Sequence, residues 1–400
     1  MRFPTIPVLL GVILLVPVVA GAQSPPAPEN SRAAAIATEQ AEKARALQPY
    51  VPSALERKLL WLKREFLEQP SGFYPYFGSV YSGGGFTLGA GYRQFYGDRT
   101  HADVKGLYSI KGYKLIEFST DSLGHAAGRV DLHARAGWRD ATQVAFHGLG
   151  IESPEDGSNF RMQQAYFGGE VNARPGYNTV FGAGMTYEDF DLESGTGNTP
   201  SIEEVHTPAS APGLGANPNY LHTMLSAGVD TRPSPGYARR GGLYGISYHN
   251  YGADDTYSFD RFDAEIVQHI PLVRENWVIS LHGLLQTTLD DEDTVPYFLL
   301  PSLGSGSTLR GYSSWRFRDR HSLLMSGEFR WIPNRLGLDM ALFYDTGKVA
   351  PRRGDLDFSD LKSDFGVGIR FHSPLSTPLR IELAKGSEGM RLVFSGSAAF

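Results

Sequence analysis

Residues 304–319 read GSGSTLRGYSSWRFRD, and the segments on either side of this stretch indicate the fold. The stretch is rich in glycine and serine and carries an Arg-Gly-aromatic triplet: Arg310, Gly311 and Tyr312. The segments that follow are HSLLMSGEFRW (321–331), ALFYDTGKV (341–349) and RLVFSGSAAF (391–400). A long loop before strands of alternating polarity, the last ending on an aromatic residue, predicts an outer-membrane β-barrel whose loop folds back into its own lumen.

Apolar and polar residues alternate from Phe73 to the C-terminus. In one such segment the two alternating sets are Leu323, Met325, Phe329 and Trp331 against Ser322, Ser326, Glu328 and Arg330. Successive side chains of a strand point to opposite faces, so this pattern places apolar residues on lipid and polar residues in a lumen. The segments and their alternately short and long connections predict an all-β fold, a transmembrane antiparallel β-barrel of about 16 strands with the long loop inside. This barrel is expected to span residues 73–400 and to lie in the outer membrane.

The part before residue 73 has a different character. Residues 1–22 are predicted to be a signal peptide, because Arg2 precedes an apolar run and small residues precede Gln23. Residues 23–72 are predicted to be a short periplasmic segment with helical character. Its amphipathic stripe consists of Leu55, Leu59, Leu62 and Phe66. Two interpretations stay open: a linker with one amphipathic helix, or a helix that docks in the barrel mouth or recruits a partner.

Composition excludes several classes of function. The chain has no cysteine, which excludes a lipid-anchored lipoprotein, a disulfide scaffold and a zinc–thiolate site. The formal net charge of −6, without a basic block, argues against nucleic acid as a partner. The mean hydropathy of −0.25 is compatible with a barrel, since only every second strand residue faces lipid. No cofactor and no metal are expected.

Several segments resemble the barrel of the bacterial surface-antigen family. They are LRGYSSWRFRD (309–319), GEFRW (327–331) and FYDTGKV (343–349), with support from FHGLGIESPEDG (146–157) and DTRPSPGYARRGG (230–242). The family includes the insertase of the barrel-assembly machinery, the translocation-and-assembly proteins and the two-partner secretion pores. The resemblance implies a sixteen-stranded barrel in outer-membrane lipid, dependent on the barrel-assembly machinery for its biogenesis.

One departure from the family concerns function. Members that insert or secrete proteins carry periplasmic polypeptide-transport-associated repeats, and residues 23–72 leave no room for even one. The chain therefore looks like a truncated member of the family. A separate periplasmic partner protein is the corresponding expectation.

The resemblance also implies a lock between the long loop and the wall. In the family the loop arginine pairs with the aspartate of an F-x-D-x-G strand, which here is formed by Phe343, Asp345 and Gly347. Strand parity agrees, because Asp345 and Glu328 both fall on the lumen side. Arginine can bind such carboxylates through two parallel hydrogen bonds. The predicted lock consists of Arg310, Gly311, Tyr312, Glu328, Phe343, Asp345 and Gly347.

Three further expectations follow from the same patterns. Gly311 is expected to let the backbone turn tightly. The other inward charges are expected to form a solvated lattice rather than a selectivity filter; they are Arg129, Asp131, Arg135, Arg370, Arg380, Glu382 and Arg391. Leu392, Phe394 and Phe400 are expected to face lipid on the last strand, where a terminal aromatic acts as the signal for outer-membrane assembly.

The sequence favours a non-enzymatic role. No nucleophile elbow and no phosphate-binding loop occurs in a suitable context. The leading hypothesis is a barrel for outer-membrane assembly or for polypeptide or lipid transport. The alternatives are a passive pore or structural surface barrel, and, less favoured, an outer-membrane lipid hydrolase with a Ser/His pair.

Overall fold

The computed structural model describes residues 32–46, 71–253, 256–289, 294–333, 337–373, 377, 379–396 and 399–400. The chain divides into two units, Met1–Lys58 and Leu59–Phe400. The described part of the first unit is one helix, α1 (Arg32–Ala46), whose alanines have high helix propensity. An exposed ion pair one turn apart, Lys43 Nζ to Glu39 Oε1 at 2.6 Å, adds to it. The predicted signal peptide and the predicted stripe from Leu55 to Phe66 lie outside the described residues.

In the described part of the second unit, the main sheet has sixteen antiparallel strands that follow one another in chain order. The strands are β1 (Gly72–Gly78), β2 (Thr87–Phe95), β3 (Thr100–Ser109), β4 (Lys114–Gly124), β5 (Val130–Phe146), β6 (Ser158–Ala173), β7 (Thr179–Ser194), β8 (Asn219–Asp230), β9 (Gly241–Gly252), β10 (Phe259–Val273), β11 (Trp277–Thr288), β14 (His321–Trp331), β15 (Leu338–Ala350), β16 (Lys362–Phe371), β17 (Leu379–Gly386) and β18 (Gly389–Ser395). The predicted number of strands is confirmed.

Short elements occupy the connections. Two-residue strands β12 (Ser302–Leu303) and β13 (Phe317–Arg318) pair with each other inside the connection between β11 and β14. A one-turn helix, α2 (Ile202–Val205), lies between β7 and β8. The remaining short elements are the left-handed turn His125–Gly128 and the 3₁₀ turns Pro235–Tyr237 and Arg353–Asp355. Within the described part of the chain, no helix is long and apolar enough to cross a membrane.

Connections alternate in length around the sheet. The long ones meet at one rim: residues 79–86, 147–157, 195–218, 289–320 and 351–361. Connections at the other rim are mostly shorter, with residues 231–240 as the long exception, as at the periplasmic end of an outer-membrane barrel. Because β1 begins and β18 ends at this second rim, both termini of the sheet lie on the periplasmic side.

Successive side chains of each strand point to opposite faces of the wall, as they do in β15. Asp339, Phe343 and Asp345 are buried, whereas Leu342 and Tyr344 are exposed on the outside. Large apolar side chains therefore form the outer, lipid-facing surface, and charged ones point inward.

The two end strands differ from the rest. β1 and β18 are each 7 residues long, and β5 is 17. Strand β1 pairs with β2, and β18 pairs with β17. Among the residues that the structure describes, no ladder joins β1 to β18, so the sheet has a seam between them.

The expectation that Phe400 ends the last strand facing lipid is wrong. Strand β18 ends at Ser395, and the Phe400 ring stacks on the inward-facing His282 with 5.0 Å between ring centroids. The alternation of lipid-facing and lumen-facing side chains holds only within the ladder, whose last pair joins Arg380 to Ser395. Leu392 and Phe394 remain on β18 and are exposed, as expected.

Candidate functional site

The long loop between β11 and β14 enters the lumen. Its neck is the pairing of β12 with β13, where Ser302 lies opposite Arg318 and Leu303 opposite Phe317. A hydrogen bond from Trp315 N to Gly304 O, 2.8 Å long, narrows the neck further. The segment between these two residues carries the Arg-Gly-Tyr triplet, so the neck holds the triplet at the end of a closed hairpin.

Arg310 is buried against the carboxylates of three strands. Its Nε and Nη2 donate to the two oxygens of Asp345 at 2.6 and 2.8 Å. Its Nη1 donates to Glu328 and to Glu382, both at 3.1 Å. The guanidinium carbon lies 3.5 Å from the ring centroid of Phe343. The structure thus brings together Arg310, Asp345, Glu328 and Phe343, and adds Glu382, which the sequence reasoning did not assign to the lock.

The neighbouring charges form one buried network with Arg310. Arg370 donates to both oxygens of Glu328 and, at 2.9 Å, to Glu382. Arg380 Nη1 lies 3.2 Å from Glu382. Arg370, Arg380 and Glu382 are each at most 3% exposed, so the expectation of a solvated lattice is wrong for these three charges. The cause is the loop, which fills the lumen here and excludes the water that would otherwise hydrate these groups.

Both glycines of the predicted lock are sites of close approach. A Cβ on Gly311 would lie 2.5 Å from Asp364 Cβ and 2.7 Å from Gly386 N. A Cβ on Gly347 would lie 2.5 Å from Leu323 O. Gly311 is not among the described residues with positive φ, so a tight turn is not the reason for glycine there. Glycine is required because the loop backbone lies directly against the wall.

Tyr312 also attaches the hairpin to the wall, through contacts other than those of Arg310. Its hydroxyl donates to Ser363 O at 3.2 Å and lies 3.1 Å from Ser387 Oγ. The ring packs edge-on against Phe317, with centroids 5.1 Å apart. Tyr312 therefore connects the loop to β16 and to the turn before β18.

Three residues beyond the triplet anchor the loop at the extracellular end. Trp315 stacks on Tyr81 at 4.9 Å and donates from Nε1 to Ser82 O at 2.9 Å. Arg316 binds Glu388 at 2.7 Å. Arg318 is fully buried and donates to Tyr297 O at 3.0 Å. In the sequence, these three residues are marked only by the run WRFR. Their partners are distant in the chain, and no spacing between residues predicts which partners they contact.

Arg318 is held by rings as well as by carbonyls. Its guanidinium lies 4.8 Å from the Trp315 ring centroid and 5.9 Å from that of Phe160. Burial lowers the pKa of Arg318 to about 10. The residue is still protonated at neutral pH, and stacking on aromatic faces compensates part of its desolvation.

Catalytic and metal-binding arrangements find little support. His269 Nδ1 lies 2.8 Å from Ser280 Oγ, but Arg330 Nη2 lies 3.2 Å from the same nitrogen. A cation there opposes the positive charge that a catalytic histidine must take up. Ser280 is fully buried. The described part of the chain contains no group of three or more His, Asp or Glu side chains placed to hold a metal ion.

Comparison with known proteins identifies one family and several solved structures of similar fold. The model of the Omp85 superfamily domain matches residues 123–395. The crystal structure of BamA from Haemophilus ducreyi lacking POTRA domains 1–3 is similar at 16% identity over 81% of this chain and 69% of that one, with a TM-score of 0.56. CdiB from Escherichia coli is similar at 10% identity over 81% of this chain and 61% of that one, with a TM-score of 0.54. The search of curated proteins finds no match. At such identities the solved structures show the fold alone.

Proposed function

The chain belongs to the Omp85 superfamily of outer-membrane β-barrels, and from this premise we propose that it assembles or transports polypeptides at the seam between β1 and β18. The proposal includes no catalysed reaction. The resemblance to the surface-antigen family, predicted from the loop and strand motifs, is confirmed at the level of the superfamily.

The unpaired seam is the observation that carries the proposal. Each end strand of the sheet offers backbone N–H and C=O groups that no described strand pairs with. Such groups are expensive to expose in lipid. An extended polypeptide can satisfy them by adding a strand to the open edge. The seam is therefore suited to receive a strand of another protein.

The loop network gives the two sides of this seam different rigidity. The carboxylates that Arg310 binds belong to β14, β15 and β17, and β17 pairs with β18. One buried arginine thus ties three strands of the C-terminal wall together. We infer that this wall is the fixed side of the seam and that β1 is the side that yields.

The loop hairpin argues against the passive-pore alternative, because Arg310 and Tyr312 lie buried within the lumen. The lumen next to the network holds a cavity of about 10 Å³, lined by Glu328, Arg330 and Phe400 among others. This is room for about one water molecule. At the buried contact between His269 and Ser280, one of several Ser/His contacts in the described chain, the neighbouring Arg330 has the wrong charge for a catalytic dyad.

Site-specific photo-crosslinking tests the proposal. A photoreactive residue would replace Phe73 on β1 or Leu392 on β18, both exposed on the outer face. The matched control is Leu342, which is also exposed on the outer face but lies on β15, an interior strand that is paired on both sides. We expect polypeptide adducts at the two seam positions and only lipid adducts at Leu342. Equal adducts at all three positions, or no polypeptide at the seam, would contradict the proposal.

A periplasmic partner protein is part of the same proposal. Helix α1 exposes Ile36, an apolar side chain that is 46% accessible. The same photoreactive residue placed at Ile36 should capture a periplasmic protein. The exposed polar position Glu39 on α1 serves as the control, and equal capture at both would indicate non-specific contact.

A further inference from the structure

The connection between β8 and β9, residues 231–240, folds into the periplasmic mouth of the barrel. Tyr237 and Ala238 at its centre are 5% and 4% exposed. Tyr177, in the connection between β6 and β7 at the same rim, is fully exposed. The centre of the β8–β9 connection is thus buried over the lumen, whereas Tyr177 in the β6–β7 connection is exposed to solvent.

Specific contacts hold this connection against the opposite wall. The Tyr237 hydroxyl donates to Asp339 Oδ2 at 2.6 Å, and its ring stacks on His372 with centroids 3.8 Å apart and planes 5° apart. Thr377 Oγ1 donates to Gly236 O at 3.2 Å. Asp339 is on β15 and His372 follows β16, so the connection spans the mouth from β8 and β9 to β15 and β16.

A short chain of contacts joins this connection to the loop network. Arg330, on β14, donates to Ala238 O and lies 3.7 Å from Glu328. Glu328 in turn accepts a hydrogen bond from Arg310. All three side chains are buried. Glu328 is therefore shared between the arginine of the extracellular loop and the arginine that holds the periplasmic connection.

We propose that residues 231–240 are a periplasmic latch that is coupled to Arg310 through Glu328 and Arg330. With Arg310 in place, Glu328 is shared and Arg330 remains free to hold Ala238 O. Loss of Arg310 removes one of the cations around Glu328 and leaves Arg370 and Arg330, which draws Arg330 closer to Glu328 and away from the latch. Contacting groups in one charge network are those expected to show such non-additive coupling. The inference does not depend on which substrate the barrel handles.

Cysteine accessibility tests the latch, because the natural chain has no cysteine. The reporter is Ala238→Cys, a small change at a position that Arg330 contacts only through the backbone. A polar maleimide is applied to the full chain in detergent micelles. We expect slow labelling in the otherwise unchanged protein, and labelling about fivefold faster with Tyr237→Phe, which removes one hydrogen bond.

Arg310→Ala tests the coupling. We expect it to accelerate labelling of the cysteine at 238 by a similar factor, although the two sites lie in different connections. In an Arg330→Met background, Arg310→Ala should have no further effect on that labelling. Tyr177→Ala, in the neighbouring turn, should leave the labelling unchanged.

A second reporter separates latch opening from general loosening. Ala384→Cys places the thiol at a fully buried position on β17. It should stay slow to label with Tyr237→Phe, which leaves the Arg310 network intact. Unchanged labelling at 238 with Tyr237→Phe and also with Tyr237→Ala would overturn the latch. Faster labelling with Tyr237→Phe but not with Arg310→Ala would overturn the coupling, and parallel acceleration at 238 and 384 with Tyr237→Phe would overturn both.

Discussion

At the scale of single residues, Arg310 is a buried cation whose partners are buried as well. Breaking a buried pair by removing one partner costs about 3–5 kcal/mol, because the other charge is left without compensation. Arg310 contacts Asp345, Glu328 and Glu382, so its loss leaves three carboxylates with fewer donors. The two-point bond to Asp345 is the largest part of this contact.

We predict that Arg310→Ala and Asp345→Ala each destabilise the loop strongly and that the double variant is little worse than either. The reason is that both single changes disrupt the same pair. The barrel should still fold, and Tyr312, Trp315 and Arg316 should keep the loop partly in place. The measurements are the folded fraction on semi-native gels and the rate of loop proteolysis. Fully additive effects would show that the two residues do not act as a pair.

A second prediction concerns Gly311. Gly311→Ala should reduce the folded fraction, because the added methyl group would meet Asp364 Cβ and Gly386 N within 2.7 Å. The control is Gly283→Ala on β11, where an added Cβ meets nothing within 4 Å. Equal folded fractions for the two variants on a semi-native gel would contradict the close approach seen here.

At the scale of strands and loops, the alternation of polar and apolar residues correctly predicts which side chains face inward, as long as the chain stays in the sheet. It places Asp345 and Phe343 inside and Leu392 and Phe394 outside, as the structure has them. It fails at Phe400, because alternation has no meaning beyond the last ladder bond. It also cannot identify the anchors Trp315 and Arg318, since their partners lie on loops whose paths depend on tertiary packing.

Phe400 could support folding in two ways, as a signal for outer-membrane assembly or by packing in the barrel mouth. We predict that deleting Phe400 lowers the folded fraction, whether the residue acts as an assembly signal or by packing in the mouth. His282→Ala separates these roles, because it removes the stacking partner and keeps the terminal aromatic. An assembly signal predicts a normal folded fraction for His282→Ala. A loss equal to that of the deletion would assign the effect to packing.

The extracellular connection between β5 and β6 should respond to pH. Burial and then Arg316 lower the pKa of His147, its first residue, to about 4 from the ordinary value of about 6.5. The closed loop therefore favours neutral histidine: its stability is complete above pH 6.5 and is lost as the pH falls from 6.5 toward 4. At pH 5 the loss is on the order of 2 kcal/mol.

Limited proteolysis of the intact barrel checks this prediction. Cleavage within residues 147–157 should be faster at pH 5 than at pH 7.5, and His147→Gln should remove the difference. The connection at 351–361, at the same rim, serves as the internal reference. A pH response that persists in His147→Gln would assign the titration to another group.

At the scale of the whole molecule, the sequence predicts the wall better than the interior. The strand number and the inside–outside pattern follow from local alternation and connection lengths, which every strand repeats. The content of the lumen depends on one loop meeting three distant strands, and on a periplasmic connection meeting the opposite wall. Charges such as Arg370 and Glu382 look alike in sequence whether water or a loop surrounds them, so their burial could not be predicted.

Conductance provides the last prediction. Sixteen-stranded barrels are wide enough to leave an aqueous channel, so conduction through the lumen depends on what folds into it. Replacing residues 305–315 by a short Gly-Ser linker should remove Arg310, Tyr312 and Trp315 from the lumen. The wild-type protein should then show little steady conductance in a planar bilayer, and the shortened variant a large and steady one.

The control for this experiment is a shortened connection at residues 354–358, which lies at the same rim but carries none of the lock residues. It should leave the conductance low, because the buried arginine network is intact. Semi-native gels establish that both variants are folded before recording. Large conductance in the wild-type protein would mean that the loop and latch do not seal the lumen, and the passive-pore alternative would regain support.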